Sequence, residues 1–173
     1  SSYPPFYSSA RAYSGLRSLQ LGITDGADNT YSDSKVEQQL TIPAEARAVN
    51  LSLWLYPMSE EGGLGLQSRD VTDLERLAAS GDMQYIVILD KTGHGLETLW
   101  VECQNQTWWT HHLFDLSAYA GQTITLRFGV YNDGANGVTA MYVDDVSCQI
   151  CNEELGVPVP APMPRSMRRR SRQ

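Results

Sequence analysis

The clearest regularity along this chain is alternation. Between Val49 and Tyr56, the residues Val49, Leu51, Leu53 and Leu55 fall on one parity and Asn50, Ser52, Trp54 and Tyr56 on the other. Successive side chains of a strand point to opposite faces, so the segment predicts a strand with an aliphatic core face and an aromatic-decorated outer face. Thr123 to Tyr131 repeats the pattern, with Ile124, Leu126, Phe128 and Val130 set against Thr125, Arg127 and Gly129. Half-buried strands need a second layer over their apolar side. Further strand-like stretches lie at Leu16 to Gly22, Val36 to Ile42, Met83 to Asp90, Leu96 to Cys103, Trp109 to Asp115 and Val138 to Gln149, making eight candidates with Arg47 to Tyr56 and Thr123 to Tyr131. Breakers such as Ile42-Pro43 and the turn Lys91 to Gly95 separate them, and this spacing predicts a two-sheet antiparallel β-sandwich. One interval departs from it. Ser59 to Gly81 contains Gly62-Gly63-Leu64-Gly65 and then Thr72-Asp73-Leu74-Glu75, a capping-box pattern ahead of Leu77 and Ala78, and is read as an inserted loop carrying a short helix.

At 173 residues and 42% hydrophobic composition the chain has apolar material for one core. The division expected is an N-terminal extension over residues 1–13, the sandwich over 14–152 and a tail over 153–173. No stretch approaches the roughly 18 apolar residues of a membrane span. The chain opens on SSYPPF without a charged and apolar leader, so a leader used for export is expected to be gone already. Scarce lysine, abundant Ser, Thr, Tyr, Gln and Asn, and glycosylation sequons at Asn50 and Asn105 suit an extracellular or cell-surface location.

Charge is uneven: the chain carries −12 up to Leu155 and +5 beyond it. The tail GVPVPAPMPRSMRRRSRQ is a Pro-rich spacer ending in Arg165, Arg168, Arg169, Arg170 and Arg172. These arginines are expected either to dock on an acidic face, such as that of a neighbouring copy, or to remain solvated. Nucleic acid is disfavoured as a partner, because the acidic body repels phosphate. The three cysteines leave several pairings open. Cys148 and Cys151 can join only if the strand turns there, since an extended span exceeds the roughly 7 Å Cα limit of a disulfide; Cys103 with either of them is the other arrangement.

The strings SGLRSLQLG, AVNLSLWLYPMSEE, WTHHLFDLSAYAGQTITLRFGVYNDG and MYVDDVSC together resemble jelly-roll modules of bacterial secreted proteins. Those modules are similar to carbohydrate-binding and MAM-like domains and accompany immune-inhibitor-A-type metalloproteases and cell-surface proteins. The resemblance spans Ser14 to Cys148 and implies an all-β jelly-roll fold, with a core of Leu19, Leu21, Leu53, Leu55, Ile86, Ile88, Leu126, Phe128, Val143 and Val146. It also implies that Asp115 to Gly121 joins strands of opposite sheets. The chain departs from the family in the interval Gly62 to Gly81 and in lacking an opening strand of the NGGFE kind. An opening of that sort exposes an edge, to be filled by Ser1 to Ala12 or by Val157 to Pro164, in the same chain or in a neighbour.

Asp144 and Asp145 are adjacent and, on a regular strand, point to opposite sides, which excludes a paired acid and base. In related jelly rolls an aspartate of the last strand joins a structural calcium, and here Asp25, Asp28 and Asn29 would complete the set with Asp144; the competing expectation is that the aspartate takes backbone amides. No other cofactor is expected. Trp54, Tyr56 and Trp109 are the candidate aromatics for stacking on a sugar or for a protein interface. His111 and His112 diverge, and neither G-x-S-x-G, G-x-x-x-x-G-K-[ST] nor H-E-x-x-H occurs, so the chain is not expected to be an enzyme. Two functions fit these features. The first is a non-catalytic structural or adhesion module that self-assembles into a filament or sheath through its termini. The second is a carbohydrate-binding module whose partner is a surface glycan.

Overall fold

The computed structural model describes residues 3–61, 81–106 and 108–152. Its strands are β1 (Phe6–Ser8), β2 (Ser18–Gly22), β3 (Ser32–Thr41), β4 (Ala48–Ser59), β5 (Met83–Asp90), β6 (Gly95–Glu102), β7 (Thr110–Asp115), β8 (Thr123–Asn132) and β9 (Thr139–Cys151). They form two antiparallel sheets, one ordered β1-β2-β9-β4-β7 and the other β3-β8-β5-β6. With β1 set aside, each sheet draws strands from early and late in the chain, which is the interleaved path of a jelly roll. The all-β jelly-roll expectation is met. A 3₁₀ turn at Ser117–Tyr119 carries the chain from β7 in one sheet to β8 in the other, as the Asp115 to Gly121 segment implies.

The additional strand β1 is absent from the eight read from alternation, but it agrees with one of the candidates for the open edge, Ser1 to Ala12 of the same chain. Phe6 pairs with Gln20 and Ser8 with Ser18, so the chain's own N-terminal segment fills that edge. Three residues are too few to show a period of two. With that edge occupied, the motive for strand exchange between copies is lost.

Between the sheets Val49, Leu51, Leu53 and Leu55 pack with Leu21, Ile86, Ile88, Leu126, Phe128, Met141 and Val143, and Leu19 lies partly buried against them. Val146, expected in this core, is 48% exposed. On a strand that turns Val143 inward, a residue three positions on faces the other way. β9 also carries a bulge here: Ser52 pairs with Ser147 but Trp54 with Asp144, so β9 uses one extra residue. Asp145 takes φ of 46° there, a left-handed conformation that aspartate tolerates better than a β-branched residue does. Val146 already stands at the parity opposite to Val143, and beyond it the change of parity brings Cys148 against the core.

β5 is apolar nearly throughout and is buried on both faces, as such a run requires. Ile86 and Ile88 face the main core, while Met83, Tyr85, Val87 and Leu89 join Val101 in a second cluster. Two buried amides tie off one end of the sandwich. Gln84 donates to the carbonyls of Met58 at 2.9 Å and Ala140 at 3.0 Å and accepts the Gln104 amide at 3.0 Å. Asn132 donates to Thr139 O at 3.0 Å and accepts Thr139 N–H at 2.7 Å, closing the β8–β9 loop.

All three cysteines are free. The condition for joining Cys148 to Cys151 fails, because β9 runs extended to Cys151 without a turn. Cys103 is buried beside the Ser59 hydroxyl, 3.3 Å away, and pairs with neither. The predicted helical turns around Thr72 to Ala78 and the arginines from Arg165 to Arg172 lie outside the described residues.

Gly129 faces Tyr85 across the β5–β8 pair, and an added Cβ would overlap the tyrosine ring. Gly129→Ala is expected to cost about 1–3 kcal/mol in urea unfolding, and the cost should shrink in a Tyr85→Ala background.

Candidate functional site

The outer face of the five-stranded sheet is built by the second parity of β4 and its neighbours. Register places Trp54 between His111 of β7 and Asp144 of β9, Ser52 between Leu113 and Ser147, and Asn50 between Asp115 and Gln149. Tyr56 pairs with Tyr142, which in turn faces Gln20 of β2.

Residues 9–17, between β1 and β2, cross this face as a strap. The Tyr13 ring stacks on Trp54 at 3.8 Å between centroids with 15° between planes. The Arg11 guanidinium lies 4.4 Å over the Tyr56 ring and 5.8 Å from that of Tyr142. Asp144 Oδ2 accepts the backbone amides of Tyr13 at 2.8 Å and Ser14 at 3.3 Å, and Asp145 Oδ1 accepts the Ser14 hydroxyl at 2.6 Å. The strap is held at its other end by the Ser18 hydroxyl, which donates to Arg11 O at 2.7 Å. Under it Tyr56, Tyr142 and Gln20 fall to 7%, 3% and 5% exposure although they face away from the core. Burial pushes the Tyr142 phenol up, with the nearby Arg11 charge opposing.

The two aspartates therefore do not act on opposite sides as regular alternation predicts. The bulge turns both carboxylates onto one segment, Tyr13-Ser14. Neither parity nor spacing announces this; the only sequence signal for the strap is the recurrence of tyrosine in YSSARAYSG.

The three predicted aromatics lie on this one face. Trp109 meets Tyr56 edge-on at 5.6 Å and Tyr13 at 6.0 Å, and Trp54 packs on His111 at 5.0 Å. Sequence reasoning missed Tyr13, Arg11 and His111 as members. Of the adjacent tryptophans it is Trp108, at 60% exposure, that points to solvent, while Trp109 is half-buried. Beyond the strap the sheet face is open, with His111, Leu113, Asp115, Ser147 and Gln149 exposed and Asn50 and Ser52 half-buried among them. The Asn50 sequon thus sits mid-strand on this open face, whereas Asn105 is exposed in the β6–β7 connection. Ser52 Oγ and His111 Nε2 lie 2.8 Å apart, a hydrogen bond whose donor depends on the tautomer. Among the described residues no carboxylate hydrogen-bonds the other nitrogen of His111, so the pair lacks the third member of a nucleophilic triad.

The expected calcium ligands do not come together. Asp25 accepts the Ala27 amide at the start of a 3₁₀ turn, Asn29 donates to Gly137 O at 2.8 Å, and Asp144 is engaged by the strap and by its own neighbour's amide. Of the two expectations for Asp144, the geometry follows amide binding. Among the described residues the acids that converge are instead Glu61, Asp82 and Asp133. A cavity of about 390 Å³ opens between the sheets behind the strap, floored by Leu19, Val36, Phe128 and Val143 and rimmed by Arg17 and Glu37.

No family model matches the chain. Bacillopeptidase F of Bacillus subtilis (strain 168) is 30% identical over 103 residues, covering 58% of this chain and 7% of that protein. The pre-pro-metalloprotease PrtV of Vibrio cholerae serotype O1 is 43% identical over 42 residues, 24% of this chain and 5% of that protein. The chain thus spans less than a tenth of the length of these curated relatives. Among solved structures, the CBM22-1 xylan-binding domain of Xyn10C from Paenibacillus barcinonensis gives a TM-score of 0.48 at 15% identity, covering 87% of this chain and 82% of that one. The TmCBM61 module in complex with β-1,4-galactotriose gives 0.47 at 12% identity, covering 80% and 74%. Among the described residues no helix is long and apolar enough to cross a membrane.

Two measurements follow from this geometry. Asp144→Asn is expected to raise hydrogen exchange at the Tyr13 and Ser14 amides by about tenfold or more, since a charged acceptor is replaced by a neutral one; unchanged protection would place the hold on the strap elsewhere. His112, on the opposite side of β7, is held below the ordinary imidazole value by burial, between Trp100 and Phe114. A depressed histidine favours the fold in its neutral form, so its contribution is present above about pH 6.5 and is lost as pH falls through the folded value. In urea titrations His112→Gln should lose less stability than the parent between about pH 7 and pH 5.

Proposed function

We propose that this chain is a carbohydrate-binding module of an exported protein, and that it holds a neutral polysaccharide on the open half of the five-stranded sheet's outer face. The observation that supports this most is the wall formed by Tyr13, Trp54 and His111 beside rows of hydroxyl and amide side chains, Ser52 with Ser147 and Asn50 with Gln149. A pyranose ring has CH-rich faces that suit an aromatic surface and a rim of hydroxyls that needs such donors and acceptors. The strap belongs to the site in this reading, because it supplies Tyr13, which is 43% exposed after stacking on Trp54. Neutral glycans are favoured over polyanionic ones by the charge of −12 carried up to Leu155.

The filament reading draws on an open edge and on the arginine tail. Phe6–Ser8 occupies the edge, and the tail lies outside the described residues, so the glycan reading has the stronger geometric support.

Affinity electrophoresis against a panel of neutral polysaccharides tests the proposal. Retardation by at least one of them is expected, and Trp54→Ala, checked for folding by circular dichroism, should weaken it by about tenfold or more, while Val36→Ala in the cavity floor should not. Absence of retardation across the panel would refute glycan binding; loss only in the cavity variant would move the site behind the strap.

A further inference from the structure

At the end of the sandwich closed by Gln84 and Asn132, three carboxylates meet. Glu61 follows β4, Asp82 precedes β5 and Asp133 follows β8, and one oxygen of each lies within 4.8 Å of the others. β4 belongs to one sheet and β5 and β8 to the other, so the group spans the sandwich. Local bonds fix its shape. Glu61 Oε2 accepts the Asp82 amide at 3.0 Å, Asp82 Oδ1 accepts the Asp133 amide at 2.7 Å, and Asn136 Nδ2 donates to Glu61 Oε1 at 3.2 Å.

A second, independent observation concerns Asp82 itself. The residue is 3% exposed, and its Oδ2 is enclosed without a hydrogen-bond partner. Buried carboxylate oxygens are rarely left so, because losing water without gaining a donor or a cation is costly. Asn29, whose amide nitrogen holds Gly137 in the adjacent β8–β9 loop, has an enclosed and unpartnered Oδ1 as well. Three carboxylates with all-oxygen chemistry call for a hard cation. Two oxygens on one calcium, each about 2.3–2.6 Å from it, stand at most about 5 Å apart, whereas on magnesium, at about 2.0–2.1 Å, the limit is near 4.2 Å. The bound of 4.8 Å on the separations falls inside the calcium span, and calcium is the larger and more adaptable of the two cations.

We propose that Glu61, Asp82 and Asp133 bind a calcium ion that joins the end of β4 to the ends of β5 and β8. Glu61 and Asp82 stand on either side of the interval 62–80 in sequence. The site is remote from the expected set at Asp144, and it stands or falls separately from glycan binding.

The test uses the full chain stripped with EDTA and returned to metal-free buffer at fixed ionic strength. Calcium titration by calorimetry is expected to give one ion per chain, and saturating calcium to raise Tm by about 4 °C or more. Asp82→Asn removes a buried charge, so it should be at least as stable as the parent without calcium yet show no rise with it. Asp133→Asn should likewise lose the rise, while Asp25→Asn should keep it. No heat and no Tm change in the parent would overturn the site, as would a full response in both Asp82→Asn and Asp133→Asn. An equal rise with magnesium at the same concentration would overturn the assignment to calcium.

Discussion

Where β9 passes Leu53 of β4 it uses three steps to cover a span of two, and Asp145 turns left-handed to do so. On a regular strand Asp144 and Asp145 would face apart. The bulge instead lets both carboxylates grip Tyr13-Ser14, and charge-assisted bonds of this kind are stronger than neutral ones. The remainder of the outer face follows from that hold. With its backbone pinned, the strap lays Tyr13 on Trp54 and Arg11 on Tyr56, seals Tyr142 and Gln20 from water, and leaves the half of the sheet bearing Ser52, His111 and Leu113 uncovered. Bulges commonly re-aim side chains next to functional sites, and here the re-aimed groups define the border between the covered and open halves.

The sandwich beneath is organised so that this face can be specialised without cost to the core. Val49, Leu51, Leu53 and Leu55 are almost wholly enclosed on one side of β4, leaving the other parity of the same strand free to carry polar and aromatic side chains. At the end where Gln84 and Asn132 close loops with their amides, the same logic operates through buried polar groups. Those amides are fully partnered, whereas Asp82 Oδ2 is not, and the contrast is what distinguishes a structural knot from a candidate ion site.

The fold was legible because its long strands alternate. β4 and β8 declare their core faces by parity, β5 declares burial on both faces by its unbroken apolar run, and turns such as Lys91 to Gly95 carry their own chemistry. The site was only half legible. Trp54, Tyr56 and Trp109 can be assigned to outer faces by parity, yet the residue that organises them, Tyr13, lies on a distant segment that is itself held by Asp144, 131 residues further on, through a bulge that no pattern in YVDDVS reveals. β1 escaped because three residues show no period, and Val146 was placed in the core with Val143 although the two stand at opposite parity. Whether Cys148 meets Cys151 depends on whether β9 turns, and whether Asp25, Asp28 and Asn29 meet Asp144 depends on how the loop after β2 lies against β9; both are tertiary information.

The glycan-binding wall proposed for the sheet's open half depends on the strap and the bulge together. Its most direct test is an NMR titration of the full chain with a soluble neutral oligosaccharide drawn from a retarding polysaccharide. Shift changes are expected to concentrate at the Trp54 indole N–H and the amides of Tyr13, Ser52 and His111. Changes confined to Val36, Phe128 and the cavity between the sheets, with Trp54 unmoved, would contradict it.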